Sequence, residues 1–131
     1  MPGAGAAGGL GYAFVAFLGA RLQRGVDMVL DAVGFDSIIE GADLVITGEG
    51  RIDAQTLTGK TPYGVLQRAS GQGIPVMALA GSVALDNISG KPSFCAIRQI
   101  TPEGMPLSEA MLPSIASANL RRTITSLLKQ L

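Results

Sequence analysis

Two short apolar runs, Asp43-Leu44-Val45-Ile46-Thr47 and Ile74-Pro75-Val76-Met77-Ala78-Leu79-Ala80, each stop at a glycine, Gly48 and Gly81. They restrict the possible folds more than any other feature. Each is rich in residues that suit a pleated surface and too evenly apolar to keep one face in water. Between them, Thr61-Pro62 predicts a helix with threonine as cap and proline at its first position. That helix should run to about Ser70 and stop in Gly71-Gln72-Gly73. A third run, Ser93 to Ile100, predicts another strand. Apolar strands separated by helices imply an α/β fold, a small parallel sheet with flanking helices. Three strands are few for an open sheet of this kind, so further strands are expected beside them.

The flanking segments read less sharply. Five glycines, Gly3, Gly5, Gly8, Gly9 and Gly11, mark the start as a loop or helix lead-in. A helix from about Gly9 to Gln23 should follow. It is apolar on nearly every side, which implies burial all round. The apolar stretch Gly8 to Ala20 is shorter than the roughly 20 residues a bilayer demands, and no basic segment precedes it. Neither a membrane span nor a signal peptide is expected. Val26 to Val33 fits a short strand or a short helix. Phe35 to Gly41 predicts one or two helical turns, with Asp36 and Ser37 as candidate caps and Gly41 as the stop. After the loop Thr101 to Pro106, a last helix is expected from about Ser108 to Leu131, capped by Ser108. Arg121, Arg122 and Lys129 suit its carboxyl half.

Composition narrows function. Of 131 residues, ten are basic and ten acidic, which gives no electrostatic case for nucleic acid or an anionic membrane. There is no histidine, so no triad, general base or metal ligand of that type can come from this chain. A lone cysteine, Cys95, cannot form an internal disulfide, which favours a reducing, cytoplasmic setting. Its surroundings, Phe94-Cys95-Ala96-Ile97, suggest a buried small hydrophobe.

In an open α/β sheet, ligands bind beyond the carboxyl ends of the strands. Gly48-Glu49-Gly50-Arg51-Ile52-Asp53 leaves the first strand, and Gly81-Ser82 leaves the second. Glycine lets a backbone approach a ligand closely. Arg51 could clamp a phosphate or carboxylate through two bonds. Asp53 or Glu49 could hold Mg²⁺ or accept a hydroxyl proton. Gly59-Lys60-Thr61 runs into a helix amino end, where Lys60 would add charge for an anion. The plainer alternative is a solvated loop with an internal Arg51–Asp53 pair and an ordinary helix start. Two spellings carry little. A phosphate-binding P-loop would need glycine where Ala54 stands, and Gly3-Ala4-Gly5-Ala6-Ala7-Gly8 lacks the preceding strand of a dinucleotide fingerprint.

Four segments carry a resemblance. They are Pro2 to Gly11, then Ala42 to Asp53, then Gln55-Thr56-Leu57 with Gly59-Lys60-Thr61-Pro62, and Ala78-Leu79-Ala80-Gly81. In order and spacing the chain resembles the bacterial ATP-dependent glycerate kinase family. It departs where the family usually has histidine before Gly-Lys-Thr-Pro, since Thr58 stands there. Family members are also far longer. The resemblance implies that residues 1–24 end an inserted second domain. Residues 25–131 would form the carboxy-terminal part of a flavodoxin-like, Rossmann-like domain.

The activity so implied is transfer of the ATP γ-phosphoryl group to a hydroxyl of D-glycerate, typically giving 2-phosphoglycerate, with Mg²⁺ bridging phosphates. On this reading Asp53 is base or Mg²⁺ partner, Glu49 a second metal candidate, and Arg51 and Lys60 anion clamps. Gly3, Gly5, Gly8, Gly9, Gly48, Gly50, Thr61 and Gly81 would shape the substrate or phosphate cleft. The alternatives are a non-catalytic remnant and a nucleotide- or anion-binding module without turnover. An unpaired strand edge and uncovered apolar surface would favour self-association as a dimer or larger homo-oligomer.

Overall fold

The computed structural model describes residues 3–54, 56, 59–84 and 94–130. A turn of 3-10 helix (Ala6–Gly9) leads into α1 (Leu10–Leu18), α2 (Gly25–Ala32) and α3 (Phe35–Ile38). Then come β1 (Val45–Asp53), α4 (Thr61–Gly71), β2 (Val76–Ala84), β3 (Ala96–Gln99), α5 (Leu107–Ala110) and α6 (Pro113–Leu128). The three strands lie in the order β1-β2-β3 and all run parallel, as the apolar runs imply. Val45 is opposite Val76, and Met77 is opposite Ala96.

Helices cover both faces. Val76, Ala78 and Ala80 of β2 meet Leu30, Ile39, Leu66 and Ala69 from α2, α4 and the end of α3. On the other face Met77 and Leu79 meet Ile124 and Leu127 of α6. Val26 sits so close over Gly64 that a methyl group there would lie 2.6 Å from its Cγ2. Arg68 of α4 ties the same layer together, with Nη1 2.7 Å from Asp31 of α2 and Nε 2.7 Å from Asp36 of α3.

The strands run further than expected. The segment 48–53, expected as a polar loop, continues β1, and Gly81-Ser82 lies within β2. Glycine and charged side chains hid this extension, which is sustained by backbone pairing with Ile52 and Val83 as its inward anchors. The ladder skips the rung at Gly50 and Gly81, then resumes in the same register at Arg51–Ser82. A methyl group on Gly81 would meet the Gly50 carbonyl oxygen at 2.8 Å. The in–out alternation slips one step there: Val76, Ala78 and Ala80 share a core with Val83, and Val45 shares it with Ile52.

Several other expectations are corrected. Val26 to Val33 falls in helix α2. The helix expected over Gly9 to Gln23 ends at Leu18, where Gly19 turns left-handed at φ 61°. That helix is not buried: Phe17 is 82% exposed, and Tyr12 and Leu18 are also open. Its main packing is against the turn before it, and no sheet or helix layer of the described residues covers it. The last helix is two, because Pro113 has no N–H to continue the ladder of α5 and instead opens α6. Ser108 therefore caps neither helix. Lys60, not Thr61, holds the cap position of α4, and Gly34 holds that of α3, leaving Asp36 for Arg68. Cys95 is exposed. Phe94 takes the interior position, and alternation turns its neighbour outward.

Candidate active site

A cleft of about 620 Å³ opens beside the Gly50–Gly81 step of the sheet and past the carboxyl end of β3. β1 lends Glu49 and Gly50, β2 lends Gly81 and Ser82, and β3 lends Gln99. The loop Thr101 to Met105 and helix α5 complete the wall. A smaller cavity of about 270 Å³ shares Glu49 and Gly81, adds Gly48, and reaches Leu120 and Ile124 of α6. A larger groove of about 890 Å³ runs along the outside of α6 past Arg121, Arg122 and Lys129. One helix alone lines it, so it lacks the converging walls of a ligand site.

The cleft is braced from within. β3 ends at Gln99, opposite Ala80, so β2 continues past it without that neighbour. The Gln99 side chain bridges the gap: its Oε1 accepts the Val83 N–H at 3.0 Å, and its Nε2 donates to the Thr101 carbonyl at 2.9 Å. The Gly50 N–H donates to Glu49 Oε1 at 3.1 Å, which fixes that carboxylate at the cleft edge.

Arg51 and Asp53 do not line the cleft. The Arg51 side chain is 66% exposed, with Nε 3.6 Å from Asp53 Oδ2, a pairing worth little in water. The other oxygen of Asp53 works in a turn. Oδ1 accepts the Thr56 N–H at 3.1 Å, and the fully buried Thr56 Oγ1 accepts the Asp53 N–H at 3.1 Å. This reciprocal pair is the Asx- and ST-turn chemistry expected of such residues. Lys60 and Thr61 are exposed at the head of α4, where the Lys60 carbonyl accepts the Tyr63 and Gly64 N–H groups. Gln55, Leu57 and Thr58 lie outside the described residues, as do Pro2 and Ser93.

The amino-terminal glycines fold on themselves. Gly3 accepts the Ala6 N–H at 3.0 Å, and Ala4 accepts the Tyr12 N–H at 3.2 Å. Ala7, Gly8 and Gly9 run left-handed in succession; glycine takes this conformation freely at 8 and 9, whereas Ala7 adopts it at φ 51° despite its β-carbon. Gly11 is buried, and a methyl group on it would meet the Gly3 carbonyl oxygen at 2.7 Å. Gly3, Gly5, Gly8 and Gly9 do not line the cleft.

The structure thus brings Glu49, Gly50 and Gly81 to one cleft, with Gly48 in the adjoining cavity. It sets the remaining sequence candidates apart from that cleft. Sequence reasoning missed Gln99, Thr101 and Glu103. The signal was present: the rule that directs attention past the first two strands applies equally to the third. Among the described residues, no three or more acidic, cysteine or histidine side chains gather as a metal cage. Mg²⁺ commonly takes one or two carboxylates and completes its shell with water and phosphate oxygens, a role within reach of Glu49.

Known proteins place the chain. It matches the glycerate kinase family over residues 1–131. The glycerate kinase of Bacillus subtilis (strain 168) is 51% identical over 109 residues, covering 82% of this chain and 28% of that protein. The glycerate 2-kinase of Escherichia coli (strain K12) is 50% identical over 86 residues, 66% of this chain and 23% of its own length. A crystal structure assigned to glycerate kinase 2 of Salmonella typhimurium LT2 superposes with a TM-score of 0.67 at 40% identity. It matches 98% of this chain and 33% of that one, so the chain spans about a third or less of these relatives. A shared pattern of residues, a backbone that superposes on a known relative and a family match along its whole length lead to one conclusion: this chain belongs to the glycerate kinase family.

Proposed function

We propose that the chain forms part of an ATP-dependent glycerate kinase, passing the γ-phosphoryl group of ATP to a hydroxyl of D-glycerate to give phosphoglycerate. One observation carries this reading: in a chain of this family, Glu49 stands beside the bare backbones of Gly50 and Gly81 in a cleft at the skipped rung of the sheet. In the reaction the substrate oxygen bonds to the γ-phosphorus and the bond from that phosphorus to the bridging oxygen of ADP breaks. The hydroxyl proton passes to a carboxylate. Such transfer rests on positioning and charge neutralisation.

Glu49 is a cleft carboxylate available as proton acceptor or Mg²⁺ partner. Asp53 has the same roles open to it, its carboxylate already oriented by Thr56. Arg51 and Lys60, both exposed, would clamp anionic groups from the rim. The glycine backbones at 48, 50 and 81 admit a ligand closely, with Thr61 and the loop of Gly3, Gly5, Gly8 and Gly9 shaping the approaches. Mg²⁺, when bound, would neutralise phosphate charge. The chain would act in the cytoplasm on small molecules. Among the described residues no helix is long and apolar enough to cross a membrane. Residues 1–24 would close the inserted domain and 25–131 the flavodoxin-like one. The exposed apolar side chains of α1 support a homo-oligomer.

The test is ADP release with Mg-ATP and D-glycerate, from the chain alone and mixed with the amino-terminal part of a relative. We expect glycerate-dependent release in at least one arm. Glu49→Gln should lower kcat about 10²- to 10⁴-fold without moving the unfolding midpoint. Absence of glycerate-dependent release in both arms would overturn the reading. The fraction of the relatives' length represented here supports a second reading, a binding module or remnant without turnover. Calorimetric heat with Mg-ATP, unaccompanied by ADP release, would establish it.

A further inference from the structure

We infer that a cavity between β3 and α6, apart from the cleft, is a binding site for a phosphate group, free or carried on a small ester. The cavity holds about 320 Å³ and has two walls. β3 lends Arg98, and α6 lends Arg122, Thr123, Ser126, Leu127 and Gln130. Leu127 is its apolar floor, buried against Met77 and Leu79. Ala116 lines the cleft and Ser126 lines the cavity, which sets the two about 15 Å apart along the axis of α6.

Two guanidinium groups from different elements converge on this space, and no acidic side chain lines it. Among the described residues neither arginine has a carboxylate partner. Residues 113–130 contain no Asp or Glu at all. Arg98 Nη1 donates to the Ile97 carbonyl at 3.0 Å, and Arg122 Nη2 donates to Asn119 Oδ1 at 3.1 Å. A guanidinium has several more N–H donors than these bonds use, so most remain for a ligand. The Ser126 hydroxyl and the Gln130 amide add to them, while Thr123 Oγ1 is committed to the Asn119 carbonyl at 2.9 Å.

Two like charges facing one space repel until an anion comes between them. A carboxylate brings a single charge and a pair of oxygens. A phosphate group brings nearly double that charge and a third acceptor oxygen, which suits two guanidinium forks. The negative pole of α6 opposes an anion here with roughly half a charge. Arg98, Arg122 and Lys129, the last in the adjoining groove, outweigh it.

The experiment follows the backbone amides of the isotope-labelled full chain by NMR at constant ionic strength. Orthophosphate is added in one series and phenyl phosphate in another. Saturable shifts should appear at Arg98 and at residues 122–130, with a Kd on the order of 1 mM. Both arginines are exposed, and Arg98→Ala and Arg122→Ala should each weaken binding about tenfold. Arg122 also touches the buried Asn119, so Arg98→Ala decides the matter if Arg122→Ala disturbs the fold. Arg21→Ala removes the same charge from an exposed position outside the cavity and should bind as the parent does. Tighter binding of phenyl phosphate supports an ester as the ligand, and tighter binding of orthophosphate supports the free ion. The site is refuted by shifts that never saturate, by shifts confined to Glu49–Arg51 and Lys60, or by equal weakening from Arg21→Ala and Arg98→Ala. None of these outcomes depends on glycerate-dependent ADP release, so the kinase reading stands or falls separately.

Discussion

Helices α1 and α4 differ in a way that hydrophobicity alone would invert. α1 reads Leu-Gly-Tyr-Ala-Phe-Val-Ala-Phe-Leu, almost wholly apolar, yet most of its large side chains face water. α4 carries Thr61, Gln67, Arg68 and Ser70, yet buries Pro62, Gly64, Val65, Leu66 and Ala69. The difference lies in what each helix meets. α4 connects two parallel strands and is drawn onto their face by the crossover itself. α1 precedes the sheet, and its main contact is the glycine turn before it. An apolar helix states a demand for cover, while topology decides whether the same chain supplies it.

The sharpest attempt to break this contrast removes one large side chain from each helix. Leu66 is 1% exposed, and Leu66→Ala should cost about 2–5 kcal/mol in urea unfolding. Phe17→Ser should change that free energy by about 0.5 kcal/mol or less, and should shift sedimentation toward smaller species. Equal losses from the two substitutions would show that α1 is buried after all. A middling effect compares two glycines that act as seats. Gly64→Ala pushes against Val26 and should cost about 1–3 kcal/mol, because it separates α4 from α2. Gly11→Ala presses on the Gly3 carbonyl and should loosen the terminal turn alone, seen as faster amide exchange at Ala6 and Tyr12 with an unchanged global midpoint.

The smallest effect is a pH dependence that belongs to α4. The Arg68 guanidinium holds the Asp31 carboxyl below its usual 3.8, with help from the Gln23 amide. The folded value is the lower one, so the contribution is complete above the unfolded pKa and fades as pH falls through the folded one. Arg68→Ala should therefore flatten the acid limb of stability. α1 has no carboxylate, and Phe17→Ser should leave that limb as it was. The Asp31 side chain is 54% exposed and Arg68 is partly so, so salt should weaken the effect.

The sheet was legible because Val45 and Val76 begin runs whose only stable place is between two layers. The continuation to Asp53 was not, since the pairing there is made by main chain under glycine and charged residues. Pro113 was a visible stop signal, outweighed by the helical character of its surroundings. At the candidate site, Glu49 and Gly81 could be found from their place just after the apolar runs, although both lie within the longer strands. The roles of Arg51 and Asp53 were harder to judge, because identical side chains suit a ligand clamp or a self-contained turn. Thr56, buried and bonded to Asp53, shows the turn, and no count of charges could have revealed it. Glu103 escaped attention because it sits alone in a loop, and only the folded chain sets it across from Glu49.

The empty rung at Gly50 and Gly81 acts as a phase marker for both strands. Everything past it is numbered, in effect, from a new origin: Ile52 and Val83 are interior only because the two chains skip together. A residue inserted upstream in one strand would put its neighbours out of step and turn Ile52 outward, carrying Arg51 and Asp53 to the opposite side. Matched insertions in both would conserve the partnership but still exchange inside for outside. The short stretch from Val45 to that rung, and its equivalent from Val76, are therefore fixed in length as strictly as any side chain here is fixed in kind.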